Sequence, residues 1–261
     1  MSPTEIAVGA GFLVLAVLIQ RTRARAERID SLRKTMNEAI IHDLKNPMTS
    51  IMGCLSYLLH DKPAEAEREK LLALALHGCR AQMTLLETLV DTNRLEQGEL
   101  SLRKTELDTR HLLNTCLDDV RGAAVRLGVQ LKEEHSALLP PTLHVDPDLF
   151  PRVLLNLLHN ALKYTPAGGT VSLLTAPRDG GVRFEVRDTG IGISPENISR
   201  LFNKYYRVEG PDQTSRRGSG LGLYFCRLVV EAHGGKIAVS SDVGRGTAIV
   251  FDIPCAVPIG A

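Results

Sequence analysis

Between residues 29 and 98, apolar side chains recur at alternating steps of three and four. That spacing lines them along one edge of an α-helix and leaves the edge wet unless another surface packs on it. Ile29, Leu32 and Met36 form one seam, and Ile41, Leu44, Met48, Ile51, Leu55 and Leu58 form a second. The two seams do not join in register between Met36 and Ile41, which predicts a local shift there. "HDKPAEAE" (60–67) reads as a turn in which Pro63 opens a second helix, with acidic residues in the first turn where the helix dipole favours them. Leu72, Leu76, Cys79, Met83, Leu86 and Val90 continue the spacing up to Gly98, a residue suited to the left-handed stop of a helix. Two long helices joined by a short turn make an antiparallel hairpin. One hairpin buries its stripe poorly and two make a four-helix bundle, so the sequence predicts a homodimer.

Inside this hairpin, "IIHDLKNPMTS" (40–50) sets His42 beside Asp43 and then places Pro47 within a helical pattern. A proline inside a helix removes a backbone hydrogen bond and clashes with the preceding turn, at a cost of about 3 kcal/mol. Either the helix is a kinked structural element or the site is kept for chemistry. His42 follows a seam position directly, so its imidazole is expected at the flank of the packed stripe, within reach of solvent.

Charge narrows the partners. Lys and Arg number 31 against 30 Asp and Glu, a formal net charge of +1, so neither a basic nucleic-acid footprint nor an acidic tail is present and no nucleic-acid partner is expected. The 5 cysteines form no Cys-x-x-Cys pair, which argues against a zinc site or a disulfide framework and for reduced thiols. At the N-terminus "IAVGAGFLVLAVLIQ" (6–20) is uncharged and is followed by Arg21, Arg23 and Arg25. As a helix it would span about 22 Å, short of the roughly 30 Å of a hydrocarbon core. A signal peptide carries its charge before the apolar run, whereas trailing arginines suit a short membrane anchor with the remainder cytoplasmic. A buried or interfacial helix in a cytoplasmic protein is the alternative.

Beyond Gly98 the periodicity changes. "ELSLRKT" (99–105), "VSLL" (171–174), "VRFEVRD" (182–188), "KIAVSS" (236–241) and "TAIVFDI" (247–253) read as strands, and helical patterns fall at 109–127, 147–164 and 219–233. Strands and helices in irregular order predict an α+β domain, one sheet with helices on one face. Three regions follow: 1–25 as anchor and basic flank, 26–98 as the helical hairpin, and 99–261 as the mixed domain.

Three clusters punctuate the mixed domain. In "NLLHNALKYTP" (156–166), Asn156, Asn160 and Lys163 recur at helical spacing and give an apolar helix one polar face. Amide oxygens there can ligate a hard cation, and a lysine can meet phosphate. In "DTGIGI" (188–193), Asp188 ends a strand while Gly190 and Gly192 permit a tight turn. In "RGSGLGL" (217–223), Gly218, Gly220 and Gly222 remove side-chain bulk at the start of a helix, where free N–H groups can cradle phosphate. Alone, each cluster is equally well a turn or a solvated face. The order is neither a Walker A loop nor a Rossmann fingerprint, because no Gly-Lys-Ser/Thr follows and the strand–helix context differs.

Taken together, the chain resembles the catalytic core of a sensor histidine kinase: an H-box "HDLKNP", an N-box "NLLHNALKYTP", a G1-box "DTGIGI", an F-box "LFNKYYR" (201–207) and a G2-box "GSGLGL", in family order from about residue 30 to 254. The resemblance implies a dimeric four-helix phosphotransfer bundle followed by an α/β sandwich of the GHKL (Bergerat) type that binds ATP and Mg²⁺. It implies that His42 is the phosphoacceptor, Asp43 its orienting base and Asn46, one turn on, a holder of water for dephosphorylating a partner response regulator. It further implies that Asn160 coordinates Mg²⁺, that Asn156, Lys163 and Tyr164 line the nucleotide site, and that Asp188 accepts the adenine amino group beside Gly190 and Gly192. Phe202 and Arg207 would come from the F-box, and Gly218, Gly220, Leu221 and Gly222 from the phosphate end. Most family members carry Glu where Asp43 stands. The related ATP-hydrolysing clamps of the gyrase type place a general-base Glu one turn before the metal-binding Asn. Here that position is Asn156, whose carboxamide cannot take a proton from water, which favours phosphotransfer over hydrolysis.

Overall fold

A computed structural model describes residue 20, residue 41 and residues 44–61, 63–208 and 219–255. His42, Asp43 and Gly218 lie outside the described residues, as do the first seam and, apart from Gln20, the apolar run 6–20. Among the described residues no helix is long and apolar enough to cross a membrane. The chain divides into two compact units, residues 1–82 and 83–261.

The first unit holds α1 (residues 44–60) and most of α2 (Glu65–Glu96). Helix α1 runs on through Pro47, and Thr49 Oγ1 donates to the Lys45 carbonyl at 2.9 Å. The two helices pass close where α2 has no side chain: a Cβ on Gly78 would lie 2.9 Å from Ile51 Cγ1. Cys54 and Ala75 are buried, yet Met48, Met52, Leu55, Leu72 and Leu76 remain exposed. A hairpin by itself covers only part of its apolar stripe, as the spacing predicts. Gly98 ends α2 in the left-handed region (φ 69), with Glu99 N–H donating to the Arg94 carbonyl at 2.9 Å and Gly98 N–H to Leu95 at 3.2 Å. This pair of bonds is the Schellman stop.

The second unit is a two-layer sandwich. Its strands are β1 (Thr105–Asp108), β2 (Gln130–His135), β3 (Thr142–Val145), β4 (Thr170–Arg178), β5 (Gly181–Asp188), β6 (Lys236–Asp242) and β7 (Gly246–Pro254). Its helices are α3 (Thr109–Leu127), α4 (Leu149–Tyr164), the single turn α5 (Pro195–Ile198) and α6 (Gly222–Ala232). Five strands form one sheet in the order β2-β4-β5-β7-β6, with β2 and β4 parallel and the other pairs antiparallel; β1 and β3 pair separately. Helix α4 packs against both α3 and α6, and all three helices pack against this sheet. Phe184 of β5 stacks on Phe251 of β7 at 4.9 Å, and Phe150 of α4 meets both edge-on at 5.5 and 6.1 Å. These buried rings weld the helix that carries the asparagine stripe to β5, which ends at Asp188, and to its neighbour β7.

Two expectations change. Residues 99–104 form no strand; pairing begins only at Thr105. Their alternation has another cause, because Leu100 and Leu102 pack against the core while Arg103 N–H donates to Asp146 Oδ2 at 2.9 Å. Strands β1, β2 and β3 were not expected from pattern. β2 is a sheet edge with mostly exposed charged residues, "QLKEEH", a composition that guards an edge and erases the alternation that marks strands.

Candidate active site

Helix α4 presents the stripe because its other positions are needed by the core. Leu149, Phe150, Val153, Leu154, Leu157, Leu158, Ala161 and Leu162 are buried, which leaves Asn156, Asn160 and Lys163 on the remaining face. Asp146 fixes the helix start, its Oδ1 accepting from Asp148 N–H and Leu149 N–H at 3.0 Å each. Thr165 closes the other end, and Pro166 cannot continue the helix. Lys163 Nζ lies 5.1 Å from the ring centre of Tyr164.

The stripe opens onto a cavity of ≈ 330 Å³, near the lower end of small-ligand sites. Opposite helix and strand positions meet there: Asn156, Asn160, Lys163 and Tyr164 from α4, Asp188 from β5, Gly192, Tyr206, Arg207, Ser219, Gly220 and Gly222 from the loops and the start of α6, and Thr247 from β7. Apolar walls come from Leu157, Val186, Ile191, Ile193, Leu201 and Ile249.

Asp188 is 9% exposed, and its Oδ1 accepts from Gly190 N–H at 2.8 Å and Thr247 N–H at 3.2 Å. Burial pushes its carboxyl up from the ordinary aspartate value, and the two backbone donors pull it partly back. With Oδ1 taken, Oδ2 is the oxygen left to accept from a ligand amine. The glycines around it are required by close backbone approach. A Cβ on Gly190 would lie 2.7 Å from Asp188 Oδ1, and Gly192 (φ 68) abuts the Asp242 backbone. Gly220 (φ 68) packs on the backbone of Tyr205, where a Cβ would lie 2.7 Å from the carbonyl carbon. A Cβ on Gly222 would meet Asn156 Oδ1 at 3.3 Å, so the missing side chain lets the start of α6 press on the asparagine stripe.

Of the residues singled out from sequence, Asn156, Asn160, Lys163, Tyr164, Asp188, Gly192, Arg207, Gly220 and Gly222 share this cavity. Gly190 lies behind Asp188, Leu221 is fully buried, and Phe202 packs against the core; none of the three lines the cavity. Asn46 is half-buried on α1. Thr247 and Tyr206 were missed. Tyr206 stands inside the F-box and was legible there as an aromatic next to Arg207. Thr247 acts through its backbone N–H, which no residue type announces.

The donors suit a nucleotide with a hard cation. Among the described residues no group of three or more His, Cys, Asp or Glu could hold a metal by itself. The amide oxygens of Asn156 and Asn160 are of the type that can join phosphate and water around a hard cation, and Lys163 and Arg207 are of the type that meets phosphate charge.

Two family models match the chain. Residues 32–98 match the His Kinase A (phospho-acceptor) domain, and residues 145–257 match the Histidine kinase-, DNA gyrase B-, and HSP90-like ATPase domain. Histidine protein kinase DivJ of Caulobacter vibrioides is 31% identical over 247 residues, which is 90% of this chain and 40% of DivJ. Full-length ShkA, solved in complex with AMPPNP, superposes with a TM-score of 0.64 at 26% identity over 87% of this chain and 47% of ShkA. Histidine kinase ThkA, solved in complex with the response regulator protein TrrA, superposes with a TM-score of 0.59 at 22% identity over 90% of this chain and 65% of ThkA. The chain thus spans about two fifths of the length of the curated relatives it matches. With a phospho-acceptor hairpin and an ATPase-type sandwich in that order, the chain belongs to the sensor histidine kinases.

Proposed function

We propose that this chain phosphorylates its own His42 from ATP and passes the phosphoryl group to an aspartate of a response regulator, whose phosphate it also removes. The observation that carries the reading is the shared cavity of Asp188, the Asn156–Asn160–Lys163 stripe and Arg207. The buried carboxylate suits the adenine amino group, and the amides and cations that share its cavity suit phosphates. Asn160, with Asn156 beside it, would hold Mg²⁺, which supplies neutralisation of phosphate charge.

The chemistry needs a nucleophile, and an imidazole with an ordinary pKa of roughly 6.5 is neutral at cytosolic pH. In this reading a ring nitrogen of His42 forms the bond to the γ-phosphorus as the bond to the ADP oxygen breaks. Asp43 orients the ring and accepts its other proton. The bond from phosphorus to histidine nitrogen then breaks as the regulator's aspartate oxygen attacks. Asn46 would hold the water that later hydrolyses the aspartyl phosphate.

Asn156 favours this reading over ATP hydrolysis, since it offers no base to a water at that position. The exposed apolar stripe of the hairpin, Met48, Met52, Leu55, Leu72 and Leu76, supports a homodimer in which a second hairpin covers it. The response-regulator partner rests on family membership and on the complex seen for ThkA. The arginine-flanked run 6–20 is kept as a membrane anchor, with the kinase on the cytoplasmic side.

The test is labelling with γ-labelled ATP followed by acid treatment. Acid-labile label is expected in the parent, and none in His42→Ala or Asn160→Ala. Label that persists in His42→Ala, or that survives acid as phosphoserine does, overturns the reading.

A further inference from the structure

Within the second unit, one carboxylate ties the last turn of α2 to the rim of the cavity. Glu96 Oε2 lies 2.6 Å from Lys204 Nζ, and Glu96 Oε1 accepts from the Tyr224 hydroxyl at 2.6 Å. Lys204 also donates to Asn93 Oδ1 at 3.1 Å. The Lys204 and Glu96 side chains are 22% and 30% exposed, so solvent screens them only in part. Burial alone would push the Glu96 carboxyl up; the bonds from Lys204 and Tyr224 and the charge of Lys204 outweigh it and hold the carboxyl below its usual range. Burial and then Glu96 push the Tyr224 phenol up to about 12, so the phenol is the proton donor.

Each partner of Glu96 abuts residues that line the cavity. Lys204 precedes Tyr205, which among the described residues is the one non-glycine with positive φ (63°). A non-glycine residue stays in that conformation only where its surroundings over-determine it. Tyr205 N–H donates to the Gly220 carbonyl at 3.1 Å, and Lys204 Nζ sits 5.5 Å from the Tyr205 ring centre. Tyr206 and Arg207 come next in sequence and line the cavity with Gly220. Tyr224 stands in the first turn of α6, two residues beyond Gly222. Glu96 therefore clasps both stretches of chain that meet at the rim.

We infer that Glu96 is a positioning residue for nucleotide binding: by holding Lys204 and Tyr224 it presets Tyr206, Arg207 and Gly220, and it makes the last turn of α2 and nucleotide occupancy thermodynamically coupled. The inference rests on the reading of the cavity as a nucleotide site. A second staple on the same helix supplies the control. Asp91 pairs with Arg152 at 2.5 Å and fastens α2 to α4, at residues that do not line the cavity.

The experiment measures ADP affinity by calorimetry, and melting temperature without nucleotide, on the full chain. Glu96→Gln and Lys204→Met should each weaken ADP about tenfold, and the double variant should be no weaker than either, because the two residues act as one contact. Exchanging the charges, Glu96→Lys with Lys204→Glu, should restore part of the affinity. Asp91→Asn should lower the melting temperature while ADP affinity stays within twofold. ADP binding in Glu96→Gln equal to that of a binding parent overturns the inference and leaves the nucleotide reading intact. Equal loss in Asp91→Asn overturns it as well, since it would show general loosening of α2. A parent that binds no nucleotide overturns the nucleotide reading itself.

Discussion

Replacing Asp188 in two ways separates what the carboxylate does for the fold from what it does for a ligand. Its Oδ1 accepts from Gly190 N–H at 2.8 Å and Thr247 N–H at 3.2 Å, both at a site 9% exposed. Asp188→Ala strands both donors, and each buried unpaired group costs about 1–3 kcal/mol, so the loss should be about 2–6 kcal/mol. Asp188→Asn keeps an oxygen in the same place. It exchanges charge-assisted bonds for neutral ones, at a cost of about 1 kcal/mol each, and removes a buried charge. The sign of the pH dependence follows from the raised carboxyl. The folded chain holds this proton more tightly than the unfolded chain does. The contribution is therefore fully present below the unfolded value and is lost as pH rises through the folded one. Asp188→Asn abolishes that loss, so its stability relative to the parent should improve between pH 4.5 and 7.5, and at pH 7.5 it should exceed Asp188→Ala by about 2 kcal/mol. Nucleotide binding should show the opposite order. The amide points a donor at a donor, and losing a charge-assisted bond worth about 1.5–3 kcal/mol weakens ATP and ADP alike by roughly tenfold to 150-fold. Urea unfolding at the two pH values and ADP calorimetry give all the quantities. The reasoning fails if Asp188→Asn is as unstable as Asp188→Ala at pH 7.5, or if it binds ADP as the parent does.

Three further outcomes are expected. His233 is 4% exposed; its Nδ1–H donates to the Val229 carbonyl at 2.8 Å and its Nε2 accepts from Asp146 N–H at 3.0 Å, so it is held neutral, and burial pulls its pKa down. The folded chain then binds fewer protons than the unfolded one, and stability should fall as pH drops below about 6.5, by up to about 1.4 kcal/mol per pH unit from this group; in His233→Gln the urea midpoint should depend less on pH between 7.5 and 5.5. Gly192→Ala (φ 68, against the Asp242 backbone) should cost about 2–5 kcal/mol in urea unfolding, and Gly168→Ala (φ 84, open space) about 1–2 kcal/mol; equal costs would show that the close approach at Gly192 is immaterial. Asn46→Ala should keep autophosphorylation within a few-fold yet leave phosphorylated regulator to decay about tenfold or more slowly in the presence of kinase and ADP, and an unchanged decay would make Asn46 a structural residue.

The amino-acid order alone determined whatever repeats locally. The three–four spacing within residues 44–96 is legible because a helix buries one edge, and Gly98 marks the end of α2 because only a left-handed residue closes that turn well. Helix α3 runs over residues 109–127 as its pattern predicts, and the stripe of Asn156, Asn160 and Lys163 is visible because the other positions of α4 are apolar. The glycine clusters were legible as turns, and only their order beside the stripe pointed to a nucleotide.

The tertiary structure decided what depends on partners distant in sequence. Strand β2 carries no alternation, since an edge strand buries little, and its parallel pairing with β4 follows from topology. Thr247 reaches Asp188 across 59 residues with a backbone N–H that every non-proline residue possesses, so no side chain could betray it. Glu96 reads in sequence as an ordinary acid at the end of a helix. Its bond to Lys204 spans 108 positions, and it exists only because the sandwich brings α6 and the 204–207 stretch to the same turn of α2. Periodicity records the face that a segment buries, whereas the identity of what lies against that face is set by packing over distances that one segment does not encode.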